Sequence, residues 1–287
     1  MFEYEDLEDL DVVSQGDVIK WIDTSWSRPW QAYGVVVTAD CDLAHEKHGG
    51  IISYVPAMLT DDFIWQTWRI EKLEGKLDEH LAKAGTRIGN WRAKNGASGE
   101  PLSRTAMRRW LERLGPEQSL DEIGVSDNGQ RNGLLNAIAP AATILGVVNS
   151  TQPDFQKLAA AYAVVNPKSS AGDFSVIAGD IQKSWGSLPG DIFHLPSMPT
   201  PEGPETDGLF LYLRHIRQIN ADEVSARPDV IRSGQAKAQR VARVCAPYRY
   251  SITQSLARVF SDIGLPEDHE HRRRNAAQSF FSCRTQV

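Results

Sequence analysis

Alternation of apolar and polar positions dominates the start of the chain. Gly16-Asp17-Val18-Ile19-Lys20-Trp21-Ile22 is rich in β-branched residues and alternates, which predicts a strand. Gly34-Val35-Val36-Val37-Thr38 predicts a second strand. Gly50-Ile51-Ile52-Ser53-Tyr54-Val55-Pro56 predicts a third, closed by a proline that has no N–H to give to a central ladder. Three short, glycine-punctuated strands within residues 1–60 point to a small barrel, whose closure removes exposed edges.

The period then changes. Phe63, Ile64, Trp68, Leu73, Leu77 and Leu81 recur every three to five residues with charges between them, the pattern of an amphipathic helix. The glycines and polar residues of 85–99 predict an interruption, after which Ser103 is placed to cap a helix over 104–114 that stops at Gly115-Pro116. Further helices are expected over 134–148 and 155–165, the latter ended by Asn166-Pro167. Residues 186–208 carry Pro189, Pro196, Pro199, Pro201 and Pro204 and read as a surface loop. Residues 208–216 are apolar and aromatic enough for a buried strand, with a helix as the alternative that periodicity leaves open. A last helix is expected over 251–263, with Ile252, Leu256, Val259, Phe260 and Ile263 on one face, Gly264 as its cap and Pro266 beyond.

One internal echo bears on topology. Gln15-Gly16-Asp17-Val18-Ile19 and Pro189-Gly190-Asp191-Ile192-Phe193 are either two unrelated turn-to-strand entries or strands that one barrel draws from both ends of the chain. The expected architecture is α+β. A small SH3-like β-barrel begins in residues 1–60, a mainly helical region over 61–185 interrupts it as an insertion, and residues 186–287 supply a loop, further strands and a C-terminal helix packed on the barrel.

Composition narrows the class. A hydrophobic fraction of 41% suits a globular core, and no apolar run reaches the roughly 20 residues that cross a bilayer. The acidic N-terminus lacks the charge pattern of a secretory signal, so a cytoplasmic protein without a membrane role is expected. Cys41, Cys245 and Cys283 are widely spaced and form no CxxC, which argues against a disulfide framework or a zinc ribbon. The net charge of −6 hides an alternation: residues 1–59 and 116–226 are acidic, 60–115 and 227–287 basic. No P-loop, dinucleotide fingerprint, HExxH or GxSxG pattern occurs, and no cofactor is expected.

Two constellations carry chemistry. After the second strand come Asp40, Cys41, Asp42, His45, Glu46, Lys47 and His48. Cys41 with Asp42 and His45 offers a thiolate and a base, while Cys41, His45 and His48 offer metal ligands. The plainer alternative has Cys41 packed at a strand end, Asp40 and Asp42 bonding turn amides, and the histidines solvated. His194 and His215 join this cluster only if the two strand-rich regions close on each other. The second constellation interleaves Arg87, Arg92, Lys94, Arg104, Arg108, Arg109 and Arg113 with Trp91 and Trp110, a set able to contact phosphates and stack on bases. Its alternative is a solvated helix face with Met107 and Trp110 turned inward. A further basic run, His271-Arg272-Arg273-Arg274, lies near the end of the sequence.

Gly16-Asp17-Val18-Ile19, Arg28-Pro29 and Val35-Val36-Val37-Thr38 together resemble the opening of the MazF and PemK ribonuclease toxins, where a Gly-Asp strand leads through an Arg-Pro turn into a Val-rich strand. The resemblance implies an SH3-like barrel and places Arg28 near an RNA site. Ala39-Asp40-Cys41-Asp42 departs from that pattern. Val37–Leu43, Pro247-Tyr248-Arg249 and Gly264-Leu265-Pro266 also resemble strings in uncharacterised bacterial proteins, which implies one recurring architecture but no activity. The leading expectation is a binding or regulatory component that holds a protein partner, RNA or DNA, within a defence or toxin–antitoxin assembly by resemblance. The alternative is a hydrolase built on Arg28 or on the cysteine and histidine cluster.

Overall fold

The computed structural model describes residues 3–5, 7, 12–23, 32–96, 100–166, 168–170, 174–200, 203–206 and 208–261, with backbone alone for 198–200 and 203–206. The chain divides into two compact units, one of Met1–Met58 and Pro189–Val287, the other of Leu59–Leu188. The fold is α+β with a curled, largely antiparallel half-barrel sheet, and no described helix is long and apolar enough to cross a membrane.

In chain order the elements are strands β1 (Tyr4–Glu5), β2 (Asp17–Trp21) and β3 (Tyr33–Val36), helix α1 (Asp40–Ala44) and strand β4 (Ile51–Leu59). Helix α2 (Thr60–Phe63) runs through a π-helical turn (Ile64–Trp68) into α3 (Arg69–Lys94), followed by α4 (Arg104–Glu122), α5 (Asn128–Val148), α6 (Phe155–Val165) and α7 (Phe174–Trp185). Then come β5 (Ile192–Leu195), β6 (Met198–Thr200), β7 (Gly203–Thr206), β8 (Leu209–Tyr212), β9 (Arg217–Asn220), β10 (Val224–Ser225), α8 (Pro228–Arg232), β11 (Ala238–Val244) and α9 (Ala246–Ser261).

The sheet runs β1-β11-β2-β3-β4-β8-β5, with β9 also on β4 and β10 also on β11. Both Gly-Asp entries, ahead of β2 and β5, therefore feed one sheet. The register makes one face legible: Ile19 opposes Gly34, Gly34 opposes Pro56, and Ile52 opposes Ile219. Ile19, Trp21, Val36, Ile52, Tyr54, Ile219 and Ala238 accordingly share a core, covered by Val13, Val224 and Leu43 of α1.

Three expectations are corrected in this unit. Strand β4 continues through Pro56 to Leu59 rather than closing there. Its β9 register ends at Tyr54, and β8 is its other neighbour on that side, so the missing N–H falls where partners change. The proline-rich 186–208 holds β5, β6 and β7; β6 and β7 pair only with each other, and a two-stranded ribbon leaves outer edges where prolines forfeit no bond. Helix α9 starts at Ala246 and buries Ile252 and Val259, while Phe260 is exposed. Its expected cap Gly264 lies outside the described residues.

The helical unit builds its core along α3, where Leu73, Leu77, Leu81, Ala84 and Ile88 are fully buried against Met107 and Leu111 of α4, Leu134, Ile138 and Ile144 of α5, and Leu158 and Tyr162 of α6. The interruption expected from Gly85 is absent: α3 runs through it to Lys94. A side chain at 85 would meet the Leu102 carbonyl oxygen at 2.3 Å, so glycine here serves close approach of a second backbone, not a turn. Ser103 caps α4 by accepting the Ala106 N–H, and the Gly115-Pro116 stop appears as a break inside α4, with Gly115 at φ 71°. Arg69 is only 3% exposed and has no carboxylate partner among the described residues. Its Nη1 donates to the Val147 and Ser150 carbonyls at 2.7 and 3.0 Å, at the electronegative end of α5, and its guanidinium lies 4.1 Å from the Trp65 ring centroid.

Candidate functional site

The Asp40–His48 segment forms helix α1 and the turns after it. Cys41 and His45 are exposed, Asp42 and His48 half-buried. The thiol lies 3.7 Å from Asp42 Oδ1, and no described histidine bonds it; His48 Nδ1 instead accepts the Gly50 N–H at 3.1 Å. Among the described residues no three His, Cys, Asp or Glu side chains converge to hold a metal ion, and Cys41, His45 and His48 are not brought together. His194 is stacked on Phe210 at 4.2 Å, where burial pushes its pKa down, and His215 meets Tyr212 edge-on. Arg28 and 271–274 lie outside the described residues.

What the segment does hold is its own sheet. Asp40 Oδ1 accepts the Gln15 N–H at 2.8 Å, and Arg249 Nη1 reaches both the Gln15 carbonyl and Asp40 Oδ2. Gly16 stands at φ 89°, and a Cβ there would press on Arg249 and on the Val244 carbonyl. Asp17, fully buried, accepts from Arg240 Nε at 2.8 Å, Arg243 Nε at 2.7 Å and the Ser14 N–H at 2.9 Å. Residues three apart on a regular strand face opposite ways. A β-bulge between Arg240 and Ala242 shifts the register by one, so that Arg240 opposes Ile19 and Arg243 opposes Asp17, and both guanidinium groups arrive on the Asp17 face. Their Nη2 atoms converge on the Val12 carbonyl, each at 3.1 Å.

Sequence reasoning missed this hub because β11 violates the strand pattern it looks for. The inward positions of Ala238-Gln239-Arg240-Val241-Ala242 are alanine and arginine, and the large apolar Val241 is the half-exposed one. The one available signal was the Gly-Asp at the strand entry, which sets an aspartate inside a largely apolar strand.

The basic constellation is sorted by the helical unit into two classes. The first half of α3 carries Glu71, Glu74, Asp78 and Glu79, and α4 crosses it with cations: Arg104 faces Asp78 at 3.7 Å, and Arg108 bonds Glu74 at 2.5 Å and, on its own helix, Glu112 at 3.1 Å, bonds that push its pKa up. Arg113 pairs with Glu122 at 2.7 Å. Between Glu79 and Glu100 the sequence holds no acid but holds Lys83, Arg87, Arg92 and Lys94. These four and Arg109 make no ion pair among the described residues. Lys83, Arg87, Asn90, Trp91 and Lys94 fall at helical spacing on one stripe roughly 16 Å long, given 1.5 Å per residue. They line two adjoining open cavities of about 360 Å³ each, the second closed by Gly129, Gln130 and Gly133 of α5. Trp91 is held in place by its N–H bond to Gln130 at 2.7 Å. On the other side of the α3 C-terminus a cavity of about 510 Å³ is lined by Arg92, Leu102, Ala106, Arg109, Trp110, Arg113, Glu122 and Ile123. Lys83 and Gln130 extend the set expected from sequence, and the acid-free stretch of α3 is the signal for Lys83.

Comparison with family models, with curated proteins and with solved structures gives no match. The likeness of Gly16–Thr38 to the ribonuclease toxins thus rests on those residues alone.

Proposed function

We propose that the protein binds nucleic acid, contacting phosphates through the C-terminal half of α3 and the adjoining turn of α4. On this reading the sheet unit is an SH3-like barrel that carries the helical unit as an insertion in its chain, and the inserted unit supplies the contact. One observation carries it: Arg104, Arg108 and Arg113 form ion pairs with carboxylates, whereas Lys83, Arg87, Arg92, Lys94 and Arg109 form none among the described residues. Unpaired cations clustered beside two tryptophans are a phosphate-binding surface in chemical terms, since each displaces a condensed counterion on contact. Cations also suit a helix C-terminus for its dipole alone, but the dipole acts over the last turn and leaves Lys83 and Arg87 unexplained.

The test is anisotropy of labelled RNA and DNA at several salt concentrations. Five phosphate contacts predict a log–log slope of about −3.5 to −4.5, and each of Arg87→Gln and Lys94→Gln is expected to reduce it by about one. Absence of binding to either polymer at about 50 mM salt, or binding that ignores both substitutions, would sink the reading and return the protein-partner alternative to first place.

A further inference from the structure

We infer that the nucleic acid is single-stranded and that the cavity beside Trp110 seats one of its unstacked bases. The inference rests on the phosphate reading above and adds to it the polymer's strandedness. The cavity floor is the outer side of the helical core: Leu102, Trp110 and Ile123 are half-buried residues packed against it. Trp110 is fixed in orientation, because its N–H donates to Glu122 Oε2 at 2.5 Å and Glu122 is itself held by Arg113. The result is a preset aromatic wall with an apolar floor, flanked by the unpaired Arg92 and Arg109. At about 510 Å³ it falls within the size range of small-molecule sites, room enough for one base and part of its sugar.

Charge complementarity selects the occupant. A purely apolar partner would leave Arg92 and Arg109 uncompensated, and a duplex presents only phosphates, sugars and base edges to a protein, with its aromatic faces stacked away. An unpaired strand offers both parts at once, a flat π-face for Trp110 and phosphates on either side of it for the arginines. Trp91, equally fixed by Gln130, stands in the basic cavity on the opposite side of the same helix end. Residues 91 and 92 are adjacent and about 100° apart on the helix, so a strand crossing the end of α3 meets first one cavity and then the other.

The experiment compares, with the full chain at one low salt concentration, labelled oligouridylate and oligothymidylate against a hairpin duplex of equal phosphate number. Both single strands are expected to bind at least about fivefold tighter than the duplex, the lower bound for stacking one base. Ala106 is exposed and lines the cavity, so Ala106→Leu and Ala106→Trp fill it progressively while every cation stays. Each is expected to erode the single-strand advantage in order of size and to leave duplex affinity unchanged, with an unaltered circular dichroism spectrum. Duplex binding equal to or tighter than single-strand binding overturns the inference, as does single-strand affinity indifferent to both substitutions. Uridine monophosphate competing as well as the oligomer overturns it too, since the site would then take a free nucleotide. In the first two cases the phosphate reading stands; failure of all three polymers to bind, or binding indifferent to Arg87→Gln and Lys94→Gln, removes it.

Discussion

The two units bury and expose charge by opposite rules. In the sheet unit, charged side chains close on each other: Asp17 takes Arg240 and Arg243, and Asp40 takes Arg249, all across elements distant in sequence. In the helical unit the buried guanidinium of Arg69 is held by carbonyls and a tryptophan ring, and the ion pairs made by α3 itself end at Glu79 among the described residues. Charge that is satisfied internally holds a fold, and charge that is left unsatisfied at a surface is available to something else. By that criterion the sheet unit's conspicuous polar residues hold its fold, and the helical unit's unpaired lysines and arginines are the ones the proposed contact draws on.

The largest expected effect breaks the first half of the comparison. Asp17→Asn removes the buried carboxylate that Arg240, 3% exposed, and Arg243 both bond, and removal of one partner from a buried ion pair typically costs about 3–5 kcal/mol. Urea denaturation should show a loss of that size; a loss below about 1 kcal/mol would mean that the Val12 carbonyl and solvent suffice for both arginines. Arg69→Leu is next. It removes a charged donor from the Val147 and Ser150 carbonyls, which keep the Ser150 N–H and the Trp65 N–H, and about 1.5–3 kcal/mol is expected, the typical worth of hydrogen bonds to a charged group. If the helical unit melts unchanged, the ring contact with Trp65 and the carbonyl bonds are incidental.

A smaller effect separates the units by pH. Burial depresses the His194 pKa below its ordinary 6.5, so the unfolded chain binds the proton more readily than the folded one. The neutral imidazole therefore contributes full stability above about pH 6.5, and that contribution declines as pH falls through 6.5 toward the folded value. His194→Leu should flatten the acid side of the stability profile relative to the parent chain. Parallel profiles for the two proteins would show that some other group sets the slope.

Legibility in the sequence followed the same divide. Helices α4, α5 and α6 were readable because apolar spacing, Ser103 and the Asn166 stop all act locally. The strands β2 and β3 were readable from β-branched runs, and β8 from its apolar and aromatic Leu209-Phe210-Leu211-Tyr212. Strand β11 was not, since its inward arginine makes sense only once Asp17, more than two hundred residues away in sequence, lies across the bulge. Gly85 misled because a glycine that admits a neighbouring backbone looks, in one dimension, like a glycine that ends a helix. The basic constellation was visible as composition, but which of its members are occupied depends on the crossing of α4 over the acidic turns of α3.

Arg108 and Arg109 give the finest test, because they are neighbours of identical chemistry on opposite sides of that divide. Arg108 is one-third exposed and bonded to Glu74 and Glu112, so Arg108→Gln is expected to lower stability by up to about 1 kcal/mol and to leave nucleic-acid affinity and its salt slope where they were. Arg109 is exposed, makes no ion pair among the described residues and lines the cavity beside Trp110, so Arg109→Gln should leave stability unchanged and reduce the salt slope by about one. Denaturation and salt-dependent anisotropy on the same two variants form a crossed design. If both substitutions weaken binding equally, the surface attracts by net charge rather than by arrangement, and ion pairing does not distinguish structural from functional cations. If they cross, the pairing pattern of α3 and α4 marks where the contact begins.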